Sequence, residues 1–177
     1  MVFDEYLIKS KVRVRDDFPT KGERYYDLQG LYASPVAFHM VVDALVQRYL
    51  ESSLTHIAAN EPFGTAIGSV IAYALGKPLL LISDYPSPIA SHSQPTGSGY
   101  PQEKVLYLDK SHSLQDARVL LLDDVVRSGR SLTAASALVR CAGGRVTDAA
   151  CILIAAGAGG VGSASELDIN LSNLIAF

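Results

Sequence analysis

The most informative stretch of the chain is Val119-Leu120-Leu121-Leu122-Asp123-Asp124-Val125-Val126-Arg127-Ser128-Gly129-Arg130-Ser131-Leu132-Thr133. An apolar run from Val119 to Leu122 passes directly into adjacent carboxylates, and small, hydroxylated or cationic residues then lead into a helical pattern. A continuous apolar run of strand length suits a strand covered on both faces of a parallel sheet. In such sheets ligands bind at the carboxyl ends of the strands. Adjacent carboxylates repel one another there, and ribose hydroxyls or a Mg2+ ion would offset that cost. A strand-to-helix turn offers unpaired backbone N–H groups and the positive end of a helix dipole, which together bind anions. Ser128 and Ser131 add hydroxyl donors, and Arg127 and Arg130 add charge. A bare Asp-Asp pair would read as a solvated turn. The whole string reads as a site for a phosphate joined to a sugar.

On either side of this stretch the pattern alternates between strands and helices. Ser34-Pro35 is an N-cap followed by Pro at the first helical position, and apolar residues recur at helical spacing through Phe38, Val41, Val42, Leu45, Val46 and Tyr49, predicting a helix over 35–51. A short strand is expected at 56–59, a loop at Asn60-Glu61-Pro62-Phe63-Gly64, and a helix at 65–75 that stops at Gly76. Residues 78–82 form an apolar run expected to be a strand buried on both faces. Residues 83–103 carry Pro86, Pro88, Pro95 and Pro101 and almost no apolar periodicity, and are expected to be a long functional loop. Strands at 104–108 and 118–122, a helix at 129–142 and a strand at 147–154 follow. The expected fold class is α/β, a mainly parallel sheet flanked by helices with right-handed crossovers. One domain spans 1–177: a core over about 34–162, a lid over about 84–103, and a small hood built from 1–33 and 163–177.

The 177 residues suffice for one full core. Hydrophobic residues make up 49% and charged residues 19%, as in ordinary globular proteins. A net charge of −3 argues against nucleic-acid binding through a broad basic face. No apolar run approaches a membrane span, no leader pattern is present, and Cys141 and Cys151 read as buried thiols, so no membrane partner and a cytoplasmic location are expected.

The string around Asp123 resembles the 5-phosphoribosyl 1-pyrophosphate (PRPP) signature of type I phosphoribosyltransferases: an apolar strand, two acids, a few variable residues, then a Thr-Gly-Gly-Thr-like loop, here Ser128-Gly129-Arg130-Ser131. The resemblance covers nearly the whole chain and is strongest to the adenine phosphoribosyltransferase branch. Asp17-Phe18-Pro19 with Lys21-Gly22, Tyr26-Asp27-Leu28, Ser34-Pro35-Val36-Ala37-Phe38, Glu61-Pro62-Phe63-Gly64, Ala72 to Pro78 and Asn173-Leu174-Ile175-Ala176-Phe177 are similar to segments of that branch, in the same order. It implies that Asp123 and Asp124 hold the PRPP ribose, directly or through Mg2+ and water, and that Arg127, Ser128, Gly129, Arg130 and Ser131 cradle the 5′-phosphate. It implies that Asn60, Glu61, Pro62, Phe63 and Gly64 meet the pyrophosphate, that Tyr25 and Tyr26 belong to the hood over the base, that the partners are PRPP and a nucleobase or nucleotide, and that the protein is a homodimer.

The chain departs from that pattern where the branch has cations. Phe63 stands in place of an Arg, and Ser83-Asp84 in place of an Arg-Lys pair. Arg130 replaces a Gly, a position that can demand a left-handed backbone. Two functions follow: transfer of phosphoribose from PRPP to a nitrogenous base, a purine such as adenine, with release of pyrophosphate; or a catalytically impaired protein that binds PRPP or a nucleotide and regulates a partner.

Other signals are set aside. Gly157-Ala158-Gly159-Gly160-Val161-Gly162 matches a dinucleotide fingerprint, but only residues 163–177 follow, too few for the helix, strand and acid that fold requires. It is expected to be a flexible connection. His39 and His56 are expected to pack or face solvent, and His92 and His112 flank the lid without metal-ligand spacing. Lys11, Arg13 and Arg15 read as charges on an edge strand.

Overall fold

The computed structural model describes residues 3–86, 88, 91–97, 104–111 and 113–177. His112 and part of the expected 84–103 lid lie outside the described residues. In chain order the elements are α1 (Glu5–Ser10), β1 (Arg13–Asp16), β2 (Arg24–Asp27), α2 (Gln29–Tyr32), α3 (Pro35–Tyr49), β3 (His56–Asn60), α4 (Phe63–Leu75) and β4 (Leu79–Ile82). Then come β5 (Ser91–Pro95), β6 (Val105–Asp109), β7 (Arg118–Val126), α5 (Arg130–Cys141), β8 (Arg145–Ile154), α6 (Gly160–Glu166) and β9 (Asn170–Ala176).

A five-stranded sheet runs β4-β3-β7-β8-β9, and every pairing in it is parallel. β7 is central, and its side chains alternate between two cores. Leu120 and Leu122 join the cluster of Ile67 and Ile71 from α4 and Val41 and Leu45 from α3. Val119 and Leu121 join Leu132, Ala135 and Leu138 from α5 and Leu106 and Leu108 from β6. Burial on both faces, on the order of 2 kcal/mol per large aliphatic side chain, is why this strand has no polar alternation.

The helices start and stop where local chemistry directs. Ser34 is extended and its hydroxyl accepts from the Ala37 N–H at 3.5 Å, with Pro at the first turn of α3. Gly76 ends α4 in the left-handed region at φ 61. α4 lies close to the sheet because Gly68 has no side chain: a Cβ there would sit 2.5 Å from the Ala59 Cβ.

Several expectations are corrected. β4 is an edge strand, paired only with β3 in the main sheet, so Leu80 and Ile82 are buried while Leu81 is 46% exposed. Residues 91–95, expected in a loop, form β5, which pairs antiparallel with β6 through backbone hydrogen bonds that polar residues supply as well as apolar ones. The Gly-rich connection is partly the helix α6. The edge strand expected at Lys11–Arg15 is preceded by a helix, α1, capped by Asp4 and anchored by the buried Ile8. Cys141, the last residue of α5, lies at the exposed rim near Gln94 of β5; Cys151 is buried, and both are free. Among the described residues no helix is long and apolar enough to cross a membrane.

The two ends of the described chain meet. The β1–β2 hairpin brings Tyr26 against Phe177, ring centroids 5.6 Å apart, and Lys9 of α1 lies over the same Phe177 ring.

Candidate active site

From β3 the chain goes outward to β4, and on its return it adds β7 on the other side of β3. The crevice beyond the carboxyl ends of β3 and β7 is therefore the switch point, where open parallel sheets bind ligands. Asn60 ends β3, and Asp123 lies on β7. Asn60 Nδ2 donates to Asp123 Oδ2 at 2.8 Å, joining the two strand ends.

β7 continues past the apolar run to Val126, with Asp123 in register with Cys151, so the acids are strand residues held by backbone pairing. Asp123 Oδ1 accepts from the Asp124 N–H at 3.0 Å, and Asp124 Oδ1 accepts from the Val125 N–H at 2.8 Å. Burial pushes both carboxyls above their ordinary range, and the neighbouring Asp124 charge pushes Asp123 further. The same low-dielectric surroundings, with Asp123 nearby, push the Cys151 thiol up to about 12.

The loop from Arg127 to Ser131 turns through Gly129, at φ 79, and α5 starts at Arg130. Arg130 is helical, so the left-handed position lies one residue earlier than the sequence comparison suggests and Arg130 brings no backbone strain. α6 is packed underneath: a Cβ on Gly129 would lie 2.5 Å from the Ser163 Cβ, and one on Gly160 would lie 2.5 Å from the Arg127 carbonyl oxygen. The Ser163 hydroxyl donates to the Ser128 carbonyl at 2.9 Å. The glycine string set aside above thus lets one helix buttress the loop. No sequence signal marks Ser163 for that position.

The Asn60–Gly64 loop is shorter than expected, because α4 already begins at Phe63. Gly64 is pressed against β7, where a Cβ would meet the Leu122 carbonyl oxygen at 3.0 Å and Asp123 Oδ1 at 3.3 Å. Asn60 Oδ1 and Thr65 Oγ1 are buried with no hydrogen-bond partner among the described residues, so polar capacity remains beside Asp123. Tyr32 OH donates to the Phe63 carbonyl at 3.5 Å, and burial and the two aspartates raise its pKa and hold it protonated.

A cavity of about 270 Å3 is lined by Tyr25, Tyr26, Phe63, Asp123, Asp124 and the whole loop from Arg127 to Ser131, together with Thr96 and Lys104 from the β5–β6 hairpin. The structure thus brings together the acids, the loop and both hood tyrosines. Of the Asn60–Gly64 group Phe63 lines it directly, Asn60 reaches it through Asp123, and Glu61, Pro62 and Gly64 are not part of its lining. Tyr26 is buried and Tyr25 packs edge-on against Phe18. Arg127 extends to Glu23 at 3.2 Å and joins hood to loop. That pair also borders a second cavity of about 460 Å3, between the hood and Ala155–Ala158. His39, His56 and His92 line neither cavity.

No family model matches the chain. Curated relatives do. Adenine phosphoribosyltransferase of Pseudomonas aeruginosa is 37% identical over 180 aligned positions, covering 100% of this chain and 97% of that protein. Adenine phosphoribosyltransferase of Stutzerimonas stutzeri is 36% identical with the same coverage. Among solved structures, adenine phosphoribosyltransferase from Thermoanaerobacter pseudethanolicus has the same fold, with a TM-score of 0.91 at 24% identity over 98% of this chain and 100% of that one. The Giardia lamblia enzyme complexed with 9-deazaadenine gives a TM-score of 0.91 at 21% identity over 99% of each chain.

Proposed function

The chain belongs to the adenine phosphoribosyltransferase family, and from that footing we propose that the cavity between β7 and the hood is where PRPP and a purine react. The protein is a phosphoribosyltransferase: it transfers phosphoribose from PRPP to a base, adenine by the relatives' names, and releases pyrophosphate. The observation that carries the assignment of residues is the meeting of Asp123 and Asp124 with the Gly129 turn at the switch point of the sheet.

A ring nitrogen of the base forms a bond to ribose C1 as the bond from C1 to pyrophosphate oxygen breaks, its electron pair leaving with pyrophosphate, and the imidazole N–H proton of the base passes to solvent or to the departing pyrophosphate. The transition state carries positive charge on the ribose and growing negative charge on the leaving group. The backbone amides of Arg127 to Ser131, at the start of α5, hold the 5′-phosphate, with the Ser128 and Ser131 hydroxyls and Arg130 beside them. Asp123 and Asp124 accept hydrogen bonds from the ribose hydroxyls, and their negative charge favours the cationic sugar. The amides opening α4 face the pyrophosphate. Tyr25 and Tyr26 flank the base, and the hairpin with the hood excludes water that would otherwise capture the cation.

Mg2+ fits this site. Two adjacent carboxylates stand beside the orphaned Asn60 oxygen, while among the described residues no three metal-ligating side chains gather. Asp123 and Asp124 would therefore hold the ion together with water and substrate oxygens. Bound there, it would neutralise charge on the leaving pyrophosphate. A homodimer completes the proposal, with the exposed Leu81 of β4 and Tyr73 of α4 as surface a second copy would cover; light scattering tests it. A cytoplasmic location is likewise proposed, and cell fractionation tests it.

The decisive experiment incubates the protein with PRPP, Mg2+ and, in turn, adenine, hypoxanthine, guanine, xanthine, orotate and uracil. Pyrophosphate release with adenine is expected. Well-folded protein giving no product with any base would overturn the reading.

A further inference from the structure

The pyrophosphate side of the cavity is short of positive charge in its own loop: Phe63 is there, 46% exposed, and Ser83-Asp84 follow β4. Among the described residues the cavity lining holds three cations, Lys104, Arg127 and Arg130. Arg130 opens α5 at the 5′-phosphate, and Arg127 reaches Glu23. Lys104 is the lining cation that comes from another element, the β5–β6 hairpin.

Its attachment is firm and its tip is loosely held. The Lys104 carbonyl accepts from the Thr96 N–H at 2.8 Å and from the Thr96 hydroxyl at 3.0 Å. β6 is joined to the end of β4 by a reciprocal pair of backbone hydrogen bonds between Ser83 and Tyr107, 3.1 and 2.9 Å. These contacts fix where the lysine starts. Its ammonium lies 3.4 Å from Asp84 Oδ2, with side chains 57% and 40% exposed. An ion pair so long and so exposed is weak and exchanges readily.

We propose that Lys104 is the cation for the leaving pyrophosphate, and that Asp84 is the anion it leaves when PRPP enters. An ammonium on a four-carbon stem suits this exchange, because it is a mobile point charge that reaches several phosphate oxygens. The polyanion, with more negative charge than one carboxylate, outcompetes Asp84. As the C1–O bond breaks, charge on the pyrophosphate grows and the contact strengthens, so it acts on the transition state more than on bound PRPP. Asp84, unfavourable beside a polyanion if unpaired, instead keeps the lysine folded toward the mouth of the site.

This inference rests on the PRPP reading, and the test separates the two. Affinities for PRPP and for ribose 5-phosphate, both with Mg2+, are measured by calorimetry on wild type, Lys104→Met, Lys104→Arg and Asp84→Asn; the ratio of the two isolates the pyrophosphate. Lys104→Met is expected to weaken PRPP about tenfold while leaving ribose 5-phosphate unchanged, which also shows that the phosphate loop is intact. Lys104→Arg should restore most of the loss. Asp84→Asn should tighten PRPP about threefold by releasing the lysine. With a base present, Lys104→Met should lower kcat more than it raises the KM for PRPP. The inference is overturned if Lys104→Met leaves the ratio unchanged or weakens both ligands equally. If wild type binds ribose 5-phosphate and PRPP not at all, the phosphoribosyl reading itself fails and this inference falls with it.

Discussion

The β7–α5 loop and the β3–α4 loop leave neighbouring parallel strands at their carboxyl ends, and each opens a helix onto the same crevice. Their chemistry differs. The first turns through Gly129 in the left-handed region, carries the hydroxyls of Ser128 and Ser131 and the guanidinium of Arg130, and rests on Ser163 and Gly160 of α6. The second opens on Pro62 with no side-chain cap, presents the exposed Phe63, and turns the unpaired atoms Asn60 Oδ1 and Thr65 Oγ1 inward. In the proposed function the first loop holds a phosphate through the whole reaction. The other places Asp123 accurately and, as proposed, leaves the charge of the departing group to be met from across the cavity. On the proposed reading, affinity for phosphoribose and competence to expel pyrophosphate are housed in separate parts of the fold.

The largest effect should come from the acids, which serve both loops. Asp123→Asn or Asp124→Asn is expected to lower kcat/KM on the order of a thousandfold, measured by pyrophosphate release. The same change at Asp123 should stabilise the ligand-free protein. The pKa of its carboxyl is raised in the folded state, chiefly by burial and then by Asp124, so the folded state holds a proton that the unfolded state has already released. Stability contributed by that proton is full in acid and is lost as pH rises from the ordinary carboxylate range to the raised one. Replacing Asp123 by Asn should flatten that decline and raise the melting temperature on the alkaline side. A melting curve that declines as steeply in the variant would remove burial of this charge as the cause.

Gly129→Val tests the first loop alone. Its φ of 79 disfavours a branched side chain, and its Cβ would lie 2.5 Å from the Ser163 Cβ. Affinity for PRPP and ribose 5-phosphate should fall together, about a hundredfold, from about 2–3 kcal/mol of strain and displacement. Gly64→Ala tests the second. Its Cβ would press on the Leu122 carbonyl at 3.0 Å and Asp123 Oδ1 at 3.3 Å, so kcat/KM should fall about tenfold with ribose 5-phosphate affinity within about twofold. Equal losses on the two ligands after Gly64→Ala would merge the loops into one functional unit and break the comparison.

How far the sequence revealed this division follows from what each part buries. The β7–α5 segment was legible because the strand is covered on both faces and the turn needs glycine, leaving an apolar run, two acids and a Gly in order. One refinement needed coordinates: the left-handed residue is Gly129, and Arg130 lies in the helix. The β3–α4 loop was located, but its inward-facing Asn60 gives no pattern, since a hydrogen bond across two strands leaves no periodicity. β5, reading Ser-His-Ser-Gln-Pro, has no apolar alternation because backbone pairing with β6 holds it in place. The exposed Leu81 could not be told from a buried strand residue, because an apolar run does not say whether a strand lies at the edge. Ser163 supports the phosphate loop from about 35 residues away, and nothing local distinguishes it from any other helix serine.

The smallest expected effect is at the seam between hood and phosphate loop. Glu23, on the turn before β2, accepts from Arg127 at 3.2 Å, and its carboxyl pKa is lowered by the Thr20 hydroxyl and then by Arg127. Both side chains are about a quarter exposed, at 26% and 24% for Arg127 and Glu23, so salt and water weaken the pair and Glu23→Gln should leave the melting temperature unchanged within error. Function should shift slightly. With the carboxylate gone, the Arg127 guanidinium is drawn less toward the hood and more toward an anion on its own loop, so ribose 5-phosphate should bind about two- to threefold more tightly. The opposite expectation holds for the base, because the hood loses its link to the loop and closes over the site less well: the KM for adenine should rise by a similar factor. The two shifts must have opposite signs if Arg127 is divided between loop and hood. If both constants move the same way, Glu23 acts only through general charge on the cavity, and the hood does not depend on this link.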